Sequence, residues 1–215
     1  MVRAVIFDMD GTMIMTEELS SRAFHRVLTR RGVVPALKTY GCVQEVGTIN
    51  NMAKLKREYG LWQPLWWLKF RQKAAYRQAV KQDGRPTPGL LALLKILRQA
   101  QLPLAVASGS PDAVIRFVTD SLGVRDYFHC LVSSRSLRRN KPFPDVYLEA
   151  ACRLGVPPAS CLAVEDQGVG VQAAKAAGMK VVAVPNRFTI NDDFSAADLV
   201  LPSLEQLTWE VISSL

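Results

Sequence analysis

Two carboxylates two residues apart stand at the end of the first apolar run, Asp8 and Asp10 in Val2-Arg3-Ala4-Val5-Ile6-Phe7-Asp8-Met9-Asp10-Gly11-Thr12. A run that is apolar on both faces reads as a central strand of a parallel sheet. In open α/β sheets, ligands collect at the carboxyl ends of such strands. Three further polar clusters hold comparable positions: Ser108-Gly109 after an apolar run, Lys141 in the loop before a helix, and Glu165-Asp166 after another run. Right-handed crossovers bring the carboxyl ends of parallel strands to one edge of the sheet, so these clusters should converge. The constellation holds three or four carboxylates, a lysine, a hydroxyl and a helix N-terminus that favours an anion. Carboxylates alone would repel a phosphate. Mg²⁺ held by one or two carboxylates plus the substrate phosphate resolves that conflict.

Composition narrows the field. With 215 residues, 49% of them hydrophobic, the chain can bury one large domain or a core with a modest insertion. No apolar stretch is long enough for a membrane span, and Asp8 and Asp10 interrupt the only early apolar run, so no signal peptide is expected. The expected setting is the cytoplasm. Cys42, Cys130, Cys152 and Cys161 form no CxxC pair, which argues against a zinc site or a disulfide framework. With His25 and His129 the only histidines, a multi-histidine metal centre is excluded, leaving hard cations with oxygen ligands. The net charge of +8 is uneven: residues 16–86 carry 14 Lys/Arg against 5 Asp/Glu.

The elements that must position the clusters follow from periodicity and punctuation. A helix is expected from Thr16 as N-cap, with Glu17 and Glu18 in its first turn, Leu19, Ala23, Phe24, Val27 and Leu28 as its apolar stripe, and Arg30, Arg31 and Gly32 at its end. Further helices are expected over Val46–Tyr59 and Pro64–Lys81. No strand alternation occurs in this block, which reads as an all-helical insertion over residues 16–86. From Thr87 the pattern alternates between helices and strands. Helices are expected over Leu90–Ala100, Ser110–Leu122, Pro142–Leu154, Gly168–Ala177 and Leu204–Ser213. Strands are expected over Leu102–Ala107, Cys130–Ser133, Cys161–Val164, Lys180–Val184 and Leu199–Leu201. This alternation predicts an α/β fold: a doubly wound parallel sheet with a Rossmann-like core (residues 1–15 and 87–215) and an inserted all-helical domain.

Asp8-Met9-Asp10-Gly11-Thr12, Ser108, Lys141-Pro142, and Glu165-Asp166 with Gly168, Gly170 and Ala176-Ala177-Gly178-Met179 together resemble the four motifs of the haloacid dehalogenase-like hydrolase superfamily. The nearest subgroup is the β-phosphoglucomutase-like phosphatases, which carry a helical cap domain where the insertion lies. The resemblance implies a Mg²⁺-dependent phosphatase acting on a small phosphorylated metabolite through an aspartyl-phosphate. Asp8 corresponds to the nucleophile and Asp10 to the general acid and base. Ser108, Gly109 and Lys141 correspond to the phosphoryl-binding residues. Asp8, Asp10 (through its backbone carbonyl), Asp166 and Glu165 correspond to the metal site, Glu165 either as a ligand or behind Asp166. An aspartate two residues after the nucleophile distinguishes phosphoryl chemistry from carbon–halogen cleavage.

The departures carry information too. Met15 replaces an aspartate common in the subgroup, and Gln167 a common serine. Ser20 stands where the phosphomutases of this type carry a cap histidine, and Asn50 where they carry a cap arginine. These differences favour a phosphatase over a sugar phosphomutase, the alternative activity. A non-catalytic binding or regulatory protein on the same fold is the alternative from another class. The basic insertion with Trp62, Trp66 and Trp67 could in principle pair phosphate contacts with base stacking. Helical aromatics are more often core, so its field is assigned to attracting small anionic substrates, not nucleic acid. On this reading the protein shows no salt-sensitive binding to single- or double-stranded nucleic acid at low ionic strength, which a filter-binding titration checks.

Overall fold

The computed structural model describes residues 1–29, 53, 56, 57 and 60–215. Arg30, Arg31, Gly32, Asn50 and nearly all of the expected Val46–Tyr59 helix lie outside the described residues, as do the side chains of Phe24, Val27 and Leu28. The chain divides into two compact units, one of Met1–Ile14 with Pro86–Leu215 and one of Met15–Arg85.

The larger unit is built on a six-stranded parallel sheet of β1 (Ala4–Phe7), β2 (Leu104–Ser108), β3 (Cys130–Ser133), β4 (Cys161–Glu165), β5 (Lys180–Ala183) and β6 (Leu199–Val200), in the order β3-β2-β1-β4-β5-β6. β1 lies in the middle, with Phe7 opposite Val106 on one side and Val164 on the other. Its four residues are wholly buried, as a strand covered on both faces requires. Alternate residues explain how. Ala4, Ile6, Ala105, Ala107, Ala163 and Val181 face one cluster with Val146, Tyr147, Ala150 and Val171. On the opposite face Phe7 meets Phe128 edge-on at 6.0 Å. The many alanines on the first face let two helices, Asp145–Leu154 and Gly168–Ala176, lie close to the sheet.

In this unit the α-helices are Leu90–Gln99, Asp112–Ser121, Asp145–Leu154, Gly168–Ala176 and Trp209–Ser214, here α3 to α7. α3 buries Leu90, Leu93, Leu94 and Leu97, the i, i+3, i+4, i+7 stripe of an amphipathic helix. Several element ends differ from the sequence reading, and proline explains two. β2 begins at Leu104, not Leu102, because Pro103 has no N–H for the ladder, although its carbonyl accepts from Val5 N at 3.1 Å. α5 begins at Asp145, not Pro142, because Pro142 and Pro144 push the residues before them out of helical space. The expected C-terminal helix splits into a 3₁₀ turn, Leu204–Gln206, and α7, whose first turn Thr208 caps by accepting from Val211 N.

The smaller unit contains α1 (Thr16–Thr29) and α2 (Leu65–Asp83), which pack together. Thr16 is the first helical residue and not the cap before it. Leu19 and Ala23 of α1 and Leu68, Ala79 and Val80 of α2 are buried, and Arg22 and Arg26 reach Asp83 at 3.7 and 3.6 Å. The aromatics do not all follow the core expectation. Trp66 and Phe70, four apart on one face of α2, are 69% and 64% exposed, while Leu68 turns to the opposite side.

Gly89, before α3, has φ +86°, and a Cβ there would stand 2.5 Å from Glu205 N in the 3₁₀ turn. Gly89→Ala should therefore destabilise the protein by about 2 kcal/mol, from left-handed strain plus the backbone clash. Denaturant unfolding measures it.

Candidate active site

Asp8 leaves β1 still in register with the sheet, its N–H donating to Val164 O at 2.9 Å, so its carboxyl emerges at the sheet edge. Lys141, from the loop before α5, inserts its ammonium between two carboxylates: Nζ lies 2.6 Å from Asp8 Oδ1 and 2.6 Å from Glu165 Oε1. It also donates to Ala107 O at 3.1 Å, which fixes it to the end of β2. Tyr147, on the first turn of α5, donates its hydroxyl to Glu165 Oε1 at 2.5 Å. The other Glu165 oxygen accepts from the backbone N–H groups of Asp166 and Gln167, at 3.1 and 3.4 Å. Gly170 makes room for this carboxylate, since a Cβ there would stand 1.9 Å from Glu165 Oε1. Both oxygens of Glu165 are thus engaged with the protein frame.

One buried cation shared between two buried carboxylates leaves a charge deficit. Burial is the largest influence on Asp8 and pushes its carboxyl well above the usual carboxylate range. Lys141 opposes this, while Glu165 and Asp10 add to it. Burial works against the Lys141 charge too, but Asp8 and Glu165 outweigh it and hold the ammonium well above the usual lysine range. Burial and the nearby Glu165 raise the Tyr147 hydroxyl well above the phenol range, so it stays a donor.

Asp10, two residues on, projects from a tight loop closed by Gly11 N to Ile14 O at 2.9 Å and Met13 N to Met9 O at 3.0 Å. Its Oδ2 accepts from the hydroxyls of Ser108 at 2.9 Å and Ser110 at 2.8 Å. Ser108, at the end of β2, is fully buried, and its oxygen also accepts from Ser110 N at 2.9 Å. Gly109 is exposed between them, its carbonyl accepting from Arg135 Nε at 3.1 Å. Asp166 follows β4 and is fully buried, with Thr12 Oγ1 donating to Oδ1 at 3.2 Å and Asn186 Nδ2 to Oδ2 at 2.7 Å.

The residues singled out from sequence therefore fall into two adjoining groups. Asp8, Lys141, Glu165 and Asp166 form one, and Asp10 with Ser108 the other. Asp8, Glu165 and Asp166 each offer an oxygen within 4.8 Å of the others. Asp8 Oδ2 is buried and has no hydrogen-bond partner among the described residues. A buried carboxylate oxygen in that state, in a cluster short of positive charge, fits a hard divalent cation. The Asp10 carboxylate is turned to the two serines and stands outside this cluster.

Three participants were not singled out from sequence, Ser110, Tyr147 and Asn186, and Thr12 figured there only as part of the first motif. The rule that ligands gather at carboxyl ends of strands, applied to the end of β5, would have flagged Asn186. Tyr147 lies six residues after Lys141, and nothing in the sequence separates it from an ordinary buried tyrosine.

The parallel sheet with this edge of acids and one lysine has clear relatives. The profile of the haloacid dehalogenase-like hydrolases matches residues 2–178. The chain is 34% identical to the protein CbbY of Rhodobacter capsulatus over 230 aligned positions, covering 100% of this chain and 99% of the relative. It is 33% identical to hexitol phosphatase B of Escherichia coli, covering 96% and 95%. Among solved structures, a Thermotoga maritima protein described as a candidate β-phosphoglucomutase superposes with a TM-score of 0.90 at 26% identity, covering 100% of each chain. A mutant of CbbY from Rhodobacter sphaeroides, in complex with xylulose-(1,5)bisphosphate, superposes with a TM-score of 0.82 at 26% identity, covering 96% of each. The chain belongs to the haloacid dehalogenase-like hydrolases, in the β-phosphoglucomutase-like subgroup of phosphatases.

The site makes a prediction about stability. Because the folded value of Asp8 lies above its ordinary 3.8, its contribution to stability is fully present below that pH and is lost as pH rises through the folded value. Asp8→Asn should therefore raise the melting temperature of the metal-free protein at pH 7, with the advantage shrinking as pH falls towards 4. Thermal melts in a chelator across that range check both signs.

Proposed function

We propose that the protein is a Mg²⁺-dependent phosphatase that hydrolyses a small phosphorylated metabolite, a sugar phosphate or similar organophosphate, through an aspartyl-phosphate on Asp8. The observation that carries the reading is the Asp8 carboxylate itself: buried, one oxygen on the Lys141 ammonium and the other without a partner among the described residues. Several of the relatives are named phosphatases, among them the hexitol phosphatase of Escherichia coli and a pseudouridine-5′-phosphatase assignment in Drosophila melanogaster. The complex of CbbY with xylulose bisphosphate supports a phosphorylated sugar as the substrate class. Free Cys130, Cys152 and Cys161 suit a reducing compartment, and the proposed setting is the cytoplasm. No helix among the described residues is long and apolar enough to cross a membrane.

Asp8 and Asp166, with the Asp10 backbone carbonyl, would hold the cation, and Glu165 would orient Lys141 and the Asp166 backbone. When bound, Mg²⁺ supplies positive charge against the phosphoryl oxygens and the carboxylates around them. The Asp8 carboxylate attacks phosphorus, forming the acyl-phosphate while the P–O bond to the leaving alcohol breaks. Asp10, in its protonated form, gives that alcohol its proton, and as the carboxylate then takes a proton from the water that cleaves the acyl-phosphate. The hydroxyls of Ser108 and Ser110 hold Asp10 in place. Lys141 offers its charge to the phosphoryl group, and the Ser108–Gly109 turn offers backbone N–H groups. The smaller, basic unit is proposed as the cap that sets substrate choice.

The same chemistry serves a sugar phosphomutase. The Thermotoga maritima structure favours that reading and Ser20 opposes it. Phosphate release from a panel of sugar phosphates, nucleotides and short organophosphates decides. The phosphatase reading expects Mg²⁺-dependent release, abolished by chelator and reduced by about four orders of magnitude or more in Asp8→Asn. Isomerised sugar phosphate with little free phosphate would establish the mutase. Turnover that survives Asp8→Asn, or none on any ester, contradicts both.

A further inference from the structure

β5 ends at the same sheet edge as β1 and β4, and the chain leaving it turns back at Asn186. The turn is closed on itself. Asn186 Oδ1 accepts from Phe188 N at 2.8 Å, Asn186 N donates to Thr189 Oγ1 at 3.0 Å, and Thr189 N donates to Asn186 O at 3.0 Å. Because Oδ1 is taken by a backbone N–H, the amide has one orientation, with its NH₂ turned to the acid cluster. There Nδ2 donates to Asp166 Oδ2 at 2.7 Å and to Gly11 O at 3.5 Å.

We propose that Asn186 is a positioning residue for the metal site: its amide ties the Asp166 carboxylate to the Gly11 turn, so that Asp166 and Asp8 meet the cation as a preformed pair. The inference rests on the Mg²⁺ reading above. A carboxylate rotates broadly about its terminal torsion, so a single anchor leaves its plane undefined. Asp166 has an anchor on each oxygen, Thr12 Oγ1 on Oδ1 and Asn186 Nδ2 on Oδ2. Each carboxylate oxygen has two lone pairs, so a hydrogen bond on one is compatible with metal ligation through the other. The fit around the amide is close. A Cβ on Gly11 would stand 2.1 Å from Asp166 Oδ2 and 2.9 Å from Asn186 Nδ2, and the backbone there has φ +92°. Gly11 thus lets the loop that bears Asp8 and Asp10 touch both Asp166 and the amide, joining the ends of β1, β4 and β5. A donor that orients a ligating carboxylate acts on metal affinity before it acts on the reacting atoms.

Mg²⁺ binding by isothermal titration of the full chain without substrate tests this, for wild type, Asn186→Ala and Thr189→Val. Asn186→Ala removes the amide. Thr189→Val breaks a bond of the turn while keeping the amide and the side-chain shape. The proposal expects Asn186→Ala to weaken Mg²⁺ binding by about 10-fold or more. The Mg²⁺ concentration for half-maximal turnover should rise in parallel, while KM for the ester at saturating Mg²⁺ stays unchanged. Thr189→Val should keep wild-type affinity. Wild-type affinity in Asn186→Ala would overturn the proposal, as would equal weakening in Thr189→Val, which would assign the effect to the turn alone. Wild-type protein that binds no Mg²⁺ would overturn the metal reading itself, and this inference with it.

Discussion

A single buried ammonium between two buried carboxylates is the interaction on which the rest of the site depends. Lys141 lies 2.6 Å from both Asp8 and Glu165, which stand at the ends of strands that adjoin in the sheet. Removing charged groups from water is expensive, and the mutual attraction repays it only with good geometry and further hydrogen bonds. Glu165 has those bonds, from Tyr147 and two backbone N–H groups. Asp8 does not: one of its oxygens is left without a partner among the described residues. The protein thus spends its polar satisfaction on Glu165 and leaves the neighbouring carboxylate under-compensated. A group in that condition is costly to the fold and available for chemistry.

The backbone makes this possible by placing the cost where sheet geometry concentrates the loops. β1 is central, and its two sheet neighbours end in Ser108 and Glu165. Asp8 and Asp10 are therefore flanked on both sides without a long excursion of any loop. Small residues complete the approach. Gly170 admits the Glu165 carboxylate, and Gly11 admits Asp166. Two carboxylates two residues apart consequently enter different surroundings. Asp8 sits between Lys141 and the acid cluster, whereas Asp10 faces the hydroxyls of Ser108 and Ser110. That division suits a nucleophile beside a proton carrier.

Much of this was legible in the amino-acid order because the signals are local. The run before Asp8 has no polar residue after Arg3 to solvate either face, and Gly123, Gly155 and Gly178 mark the ends of helices, each with positive φ. Order along the chain and right-handed crossovers then bring strand ends together. What was not legible depends on partners far apart in sequence. Tyr147 acquires its role only because Glu165, 18 residues on, is folded beneath it. Asn186 reaches Gly11 across 175 residues. Trp66 and Phe70 look like core by composition, but their outward direction depends on which face of α2 meets α1. The split of the last helix is a competition that Thr208 wins by capping a new first turn.

The central claim is that Asp8, and no other carboxylate of the cluster, carries the phosphoryl group. Borohydride reduces an acyl-phosphate to an alcohol, so it marks the residue that was phosphorylated. Protein mixed with acetyl phosphate and Mg²⁺, quenched with borohydride and mapped by peptide mass spectrometry, should show reduction at Asp8 and at none of Asp10, Glu165 or Asp166. Reduction at one of those residues, or sustained turnover with Asp8 unmarked, would contradict the account.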